Sequence, residues 1–192
     1  MLAPELQPII DDLALNNGLV LRLRILDVTD AEAYYRAVVN SKAHLATYNQ
    51  ATLDAYPDEE SVKESIDDPN NRFRWRFGIW VCGFANNEEF AGSINASFNI
   101  VGNEAEIGYW LDKDHLKNGY ARMAVSALVN YISKNYPHVR IFAKVVSGNT
   151  ASENVLVSSG FVAKEYLEEP PRGADQLEPV QKRLYEYPIT NT

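Results

Sequence analysis

The stretch that decides the fold is Glu104–Phe161. It opens as E-A-E-I-G-Y-W-L over Glu104–Leu111, then runs D-K-D-H over Asp112–His115 and L-K-N-G-Y-A-R over Leu116–Arg122. After a long helical pattern and a second strand it closes on N-T-A-S-E-N-V-L-V-S-S-G-F over Asn149–Phe161. In physical terms this is strand, glycine-containing loop, helix, strand, short helix. The loop is its centre. Gly119 and Ala121 carry little or no side chain, so a ligand's phosphates can approach the backbone closely there. The following helix offers unpaired N–H groups and the positive end of its dipole, both of which favour an anion. Lys117 and Arg122 add positive charge at the same place.

This arrangement resembles the GNAT acetyltransferases, whose pyrophosphate loop follows R/Q-x-x-G-x-G/A before a helix. On this chain the pattern falls on Leu116–Ala121: Gly119 and Ala121 match, while Leu116 stands where the family prefers Arg or Gln. The flanking E-I-G-Y-W-L and N-x-A-S-x-x-V-L-x-x-x-G-F resemble the RimJ/RimL branch, the ribosomal-protein N-terminal acetyltransferases, and the likeness runs from Leu19 to Tyr187. The resemblance implies a mixed α/β fold: a twisted, mostly antiparallel sheet with a parallel central pair, parting near the cofactor and flanked by helices. It implies one domain over residues 1–192, with 1–18 as an N-terminal extension. Acetyl-CoA is the co-substrate it implies, with no metal. Lys117, Asn118, Gly119, Tyr120, Ala121 and Arg122 would hold the pyrophosphate. Tyr109, Trp110 and Leu111 would lie along the pantetheine arm, with the Leu111 N–H as oxyanion donor, and Asn149 would hydrogen-bond the arm.

Acetyl transfer from a thioester to an amine needs a held cofactor, a neutral amine and a thiolate that can leave. Glu106, in A-E-I-G, stands where several GNAT families place a glutamate base, and a carboxylate shielded in a cleft can be tuned towards neutrality. The alternative is a solvated strand residue. Glu169 is a second candidate, since the RimL branch also uses a glutamate after the G-F strand. For the leaving group, many GNAT proteins use a tyrosine at the position of Leu156; the RimJ/RimL branch has the serine matched by Ser152. Ser152 would hand the thiolate a proton, or else simply pack or cap in the helix's first turn. An α-amine has an ordinary pKa of about 7.7–8.0 against about 10.4 for lysine. Marginal base candidates therefore suit a protein N-terminus, such as a ribosomal protein's, better than a lysine. A small amine (polyamine, amino acid or aminoglycoside) is the alternative acceptor, and a non-catalytic acyl-CoA-binding module the alternative class.

Composition narrows the field. A formal net charge of −8 disfavours broad nucleic-acid binding. The single cysteine, Cys82, forms no internal disulfide and fits a reducing compartment. The N-terminus lacks a basic leader, and no apolar run approaches the ~20 residues of a membrane helix. A cytoplasmic protein is the expectation, with a homodimer resting on the resemblance alone. His44, His115 and His138 lack metal-ligand spacing.

The remaining elements follow in order. A short helix is expected within residues 1–18, then a strand over Leu19–Arg24. Thr29-Asp30-Ala31-Glu32 reads as a capping box opening a helix to Asn40. Pro57-Asp58-Glu59-Glu60 opens another, closed near Asp68, and the looser stretch from Ser41 is where acceptor specificity is expected. Phe73–Phe84, Phe90–Val101 and Glu104–Leu111 read as an antiparallel meander, with Phe73, Trp75 and Phe77 alternating against Arg74 and Arg76. A helix over Tyr120–Asn135, a strand over Arg140–Val146 and a short helix over Thr150–Ser159 follow. A β pair over Phe161–Glu168 and Val180–Tyr187 ends the chain.

Overall fold

Period-two alternation of apolar side chains sets the strands. The computed structural model describes residues 10–15, 18–83, 87–170 and 179–188, with Asn70 and Arg72 described by their backbone alone. The strands are β1 Leu13–Ala14, β2 Val20–Ile25, β3 Arg74–Cys82, β4 Glu88–Asn99, β5 Glu104–Leu111, β6 Arg140–Val146, β7 Val162–Glu169 and β8 Val180–Glu186. The α-helices are α1 Ala31–Asn40, α2 Lys42–Tyr48, α3 Gln50–Ala55, α4 Glu59–Asp67, α5 Tyr120–Asn135 and α6 Thr150–Ser158. The strands form one sheet in the order β1-β2-β3-β4-β5-β6-β8-β7. Every neighbouring pair is antiparallel except β5 with β6, which α5 joins by the expected crossover. The last strand, β8, does not extend the edge: it inserts between β6 and β7.

Each face of the sheet has its own core. On one, Phe77, Ile79, Ile94, Ile107 and Ile141 pack against Ala124, Val125, Leu128, Val129 and Ile132 of α5 and Leu156 of α6. On the other, Trp80, Phe90 and Trp110 pack against Tyr34 and Val38 of α1 and Val62 of α4. Each such aliphatic side chain contributes about 1.5–3 kcal/mol by leaving water.

Two local expectations are corrected. Residues 13–14 are a strand rather than helix: Leu13 pairs with Leu21, because Gly18 at φ 74° lets the chain reverse and bring Leu13 and Leu15 against the core. Residues 1–9, Asn16 and Asn17 lie outside the described residues, as do Phe84 to Asn86 and the loop from Pro171. The capping box ahead of α1 falls earlier than expected. Asp27 caps a 3₁₀ turn over Val28–Asp30, and the Asp30 carboxylate accepts from the Asp27 N–H at 2.9 Å. The carboxylate outcompetes the Thr29 hydroxyl, which itself donates to Asp27 at 2.8 Å, and Glu32 instead pairs with Arg36. The loosely patterned stretch after Ser41 folds as the short helices α2 and α3.

The sheet opens beside its parallel pair. β5 and β6 pair from Glu104↔Arg140 to Glu106↔Phe142 and no further. β5 nevertheless stays on β4 as far as Gly92↔Leu111, and β6 stays on β8 as far as Val146↔Lys182. The two strands therefore diverge beyond Glu106. The Asp112 N–H donates to Ala91 O at 2.8 Å, fixing the phase of the β4–β5 ladder. In an antiparallel ladder successive amides turn to opposite edges. Those of Ile107, Tyr109 and Leu111 therefore face β6, and of these Tyr109 and Leu111 lie beyond the last β5–β6 pair, in the gap.

Candidate active site

The gap opens into a cavity of about 630 Å³ that Glu106, Tyr109, Asn149, Ser152 and Glu169 all line. Strand periodicity sorts them. Residues 105, 107, 109 and 111 of β5 look to the α5–α6 face, whereas 106, 108 and 110 look to the α1–α4 face. Glu106 and Tyr109 thus reach the cavity from opposite sides of one strand.

On the α6 side the Tyr109 hydroxyl lies 2.8 Å from Ser152 Oγ and donates to Ser152 O at 3.0 Å. Asn149 is the N-cap of α6, its Oδ1 accepting from the Ser152 N–H at 3.1 Å. The cap is thus Asn149's role, and the Ser152 hydroxyl is turned to the tyrosine. Burial pushes the Tyr109 phenol well above its ordinary range, the Ser152 hydrogen bond opposing in part. It therefore stays protonated at neutral pH and acts as a hydrogen-bonding partner of the serine.

On the opposite face Glu106, its side chain 43% exposed, lies 3.7 Å from Lys144 Nζ. Lys144 also reaches Glu169 at 3.1 Å, and Lys182 holds the other Glu169 oxygen at 2.7 Å. Burial would raise the Glu169 carboxyl, but the hydrogen bonds and charges of Lys182 and Lys144 together outweigh it and hold it at about 2. A carboxylate held so low is a poor proton acceptor near neutrality. Because its folded pKa lies below the ordinary carboxylate value, Glu169 adds stability that is present above about pH 4.5 and lost as pH falls towards 2. A Glu169→Gln variant should therefore be less stable than wild type by about 1–3 kcal/mol at pH 7, the gap closing in acid. Urea unfolding of both across that range checks this; a pH-independent gap would remove the ion-pair account.

The glycine loop lies beyond the fork. Gly119 caps α5 at φ 79°, ψ 0°, and contributes no side-chain cap of its own. A Cβ placed on it meets nothing within 4 Å, so the space over the first-turn amides of Tyr120, Ala121 and Arg122 is open. Lys117 is held at φ 64°, an uncommon conformation for a side-chain-bearing residue. Both Lys117 and Arg122 are exposed. Leu116 packs against the core and anchors the start of the loop by burial, where the family motif carries a polar residue. Asn118 Nδ2 donates to His115 O at 3.4 Å. Trp110 turns its indole into the other core, donating to the Tyr34 hydroxyl at 3.3 Å, so only its backbone is available to a ligand in the gap. Among the described residues no cluster of three or more metal-ligating side chains occurs.

Sequence reasoning missed the Tyr109 hydroxyl, Lys144, Lys182 and the arginine side of the cavity. The tyrosine had a local signal, three residues after Glu106 and so on the other face of its strand. The lysines had none, since they meet the glutamates through strands distant in the chain.

A fork that turns strand amides into a gap and leads to an open helix N-terminus suits a ligand with a thioester at one end and a pyrophosphate at the other, as an acyltransferase requires. The chain belongs to the GNAT acetyltransferase family: the Acetyltransferase (GNAT) domain matches residues 20–162. It is 29% identical over 150 residues to the Probable N-acetyltransferase YjcK of Bacillus subtilis, covering 75% of this chain and 81% of that one. It is 32% identical over 85 residues to the Ribosomal-protein-serine acetyltransferase of Escherichia coli, 43% of this chain and 46% of that one. The structure of RimL, a ribosomal L7/L12 alpha-N-protein acetyltransferase in complex with coenzyme A, superposes with a TM-score of 0.71 at 19% identity, over 92% of this chain and 98% of that one.

Proposed function

We propose that the protein acetylates the N-terminal α-amine of a protein, by direct attack of that amine on acetyl-CoA in a ternary complex. The observation that carries this reading is the placement of Glu106 and the Tyr109–Ser152 pair on opposite sides of the fork. Bound acetyl-CoA would supply the thioester. Glu106 accepts the proton that the attacking amine sheds, on the face open to the acceptor. The Leu111 N–H, turned into the gap, donates to the carbonyl oxygen as negative charge develops there. Ser152 Oγ gives the departing thiolate a proton and is reprotonated from solvent, while the Tyr109 hydroxyl holds it in position. The low-lying Glu169 is assigned to holding Lys144 and Lys182 in place rather than to proton transfer. An α-amine suits a site with a single weak base, because a useful fraction is already neutral at pH 7.5. The ribosomal-protein acetyltransferases among the relatives make a ribosomal protein's N-terminus the first acceptor to try.

The test is a panel of peptides with free or blocked N-termini alongside polyamines, amino acids and aminoglycosides. Free α-amine peptides should be turned over best, and blocked peptides with internal lysines should not. Faster turnover of a small amine would sink the assignment. In Glu106→Gln, kcat/KM for the peptide should fall about 100-fold at pH 7. The deficit should shrink above pH 8, where the amine is neutral unaided. Full activity of Glu106→Gln at pH 7 would exclude Glu106 as the base.

A further inference from the structure

One wall of the cavity carries an arginine that no acid among the described residues balances. Arg76 is 7% exposed. Its guanidinium donates to neutral oxygens: Ser65 O at 2.9 Å, Ser65 Oγ at 2.8 Å and the Tyr56 hydroxyl at 2.9 Å. The rings of Tyr34 and Tyr56 flank it at 5.8 and 5.5 Å. Its neighbour Arg74 has one long contact, 3.4 Å to Asn95 Oδ1. By contrast Arg22, Arg24, Arg36 and Arg140 each pair with a carboxylate. Among the described residues neither Arg74 nor Arg76 has an acidic partner. A buried charge without a counter-charge is costly, and proteins ordinarily pair it.

Register fixes where these cations point. Arg74, Ser97 and Glu106 lie in one row across β3, β4 and β5; Arg76, Asn95 and Gly108 lie in the next. All of them line the cavity. Strands stand 4.7–4.9 Å apart, so Arg74 is two spacings, about 10 Å, from the proposed base. Only the small side chain of Ser97 stands between them in that row.

We infer that this wall is a carboxylate subsite for the acceptor. Arg74, reinforced by the buried charge of Arg76, receives an acidic side chain of the peptide whose α-amine lies at Glu106. This rests on the α-amine reading above. An extended chain advances about 3.3–3.6 Å per residue, which puts that side chain at about the third residue of the acceptor. Arginine's planar fork suits a carboxylate; Arg74 itself is exposed and free to reorient onto one, while the buried Arg76 behind it adds positive charge to the wall.

The experiment uses two peptides that differ only in Glu or Gln at the third position. Wild type should favour the Glu peptide about 10-fold or more in kcat/KM, mostly through KM. Arg74→Gln should bring that ratio close to one, and Arg74→Lys should restore part of it. Equal wild-type turnover of both peptides, or a Glu preference that survives Arg74→Gln, overturns the subsite while leaving the α-amine reading intact. Acetylation of neither peptide, with a small amine turned over, takes both down together.

Discussion

Gly119→Asp should weaken acetyl-CoA binding about 100-fold or more in a calorimetric titration, with dephospho-CoA and ATP as controls. Two effects add. The φ of 79° at Gly119 costs a residue with a Cβ about 1–2 kcal/mol. The new carboxylate would also sit at the helix N-terminus, where the positive end of the dipole and the unpaired amides are proposed to meet phosphate. Gly119→Ala separates them: it carries the backbone cost without the charge, and should weaken binding only about 5–10-fold. Since a Cβ there meets no neighbour within 4 Å, neither variant is obstructed by packing. Undiminished binding by Gly119→Asp would place the cofactor elsewhere.

Ser152→Ala should lower kcat about 100- to 1000-fold with KM for acetyl-CoA little changed. The cap on α6 survives this substitution, because Asn149 accepts from the Ser152 backbone N–H. Tyr109→Phe should lower kcat by a similar factor, and the double variant should be little worse than either single one. Two groups that act as one hydrogen-bonded unit are lost together when either is removed. Additive losses would mean that they act separately, and an unchanged rate in Ser152→Ala would remove its assigned role.

What was legible in the sequence was local. The helix over Tyr120–Asn135 has the expected bounds, since apolar spacing and Pro137 specify both its face and its stop. The E-I-G-Y-W-L strand and the N-T-A-S helix start were equally plain, and the structure brings Glu106, Tyr109, Asn149 and Ser152 to one cavity. Arg76 was not legible. On β3 it alternates with Trp75 and Phe77 as a solvated residue would, yet Tyr56 and the Ser65 carbonyl of α4 cover it. Those partners come from the stretch between Ser41 and Asp68, whose irregular pattern hides what it will pack against. Glu169 is similar: a glutamate beside a proline-rich loop says nothing of lysines on β6 and β8. Long-range pairing decided both cases, and periodicity carries no information about it.

The insertion of β8 between β6 and β7 also bears on how the chain is made. During synthesis, β6 leaves the ribosome with one edge unpaired, and β7 cannot cover it. The partner arrives only after the thirty or so residues between Val146 and Val180 have been added. At about 5–20 residues per second this is a wait of a few seconds with a strand edge open to other chains. Lys144 and Arg140, alternating with Ile141, Ala143 and Val145 along β6, put charge on that edge strand, a known deterrent to pairing with the wrong partner. The lysine that helps to place Glu169 in the finished protein thus also puts charge on a strand that waits for its partner.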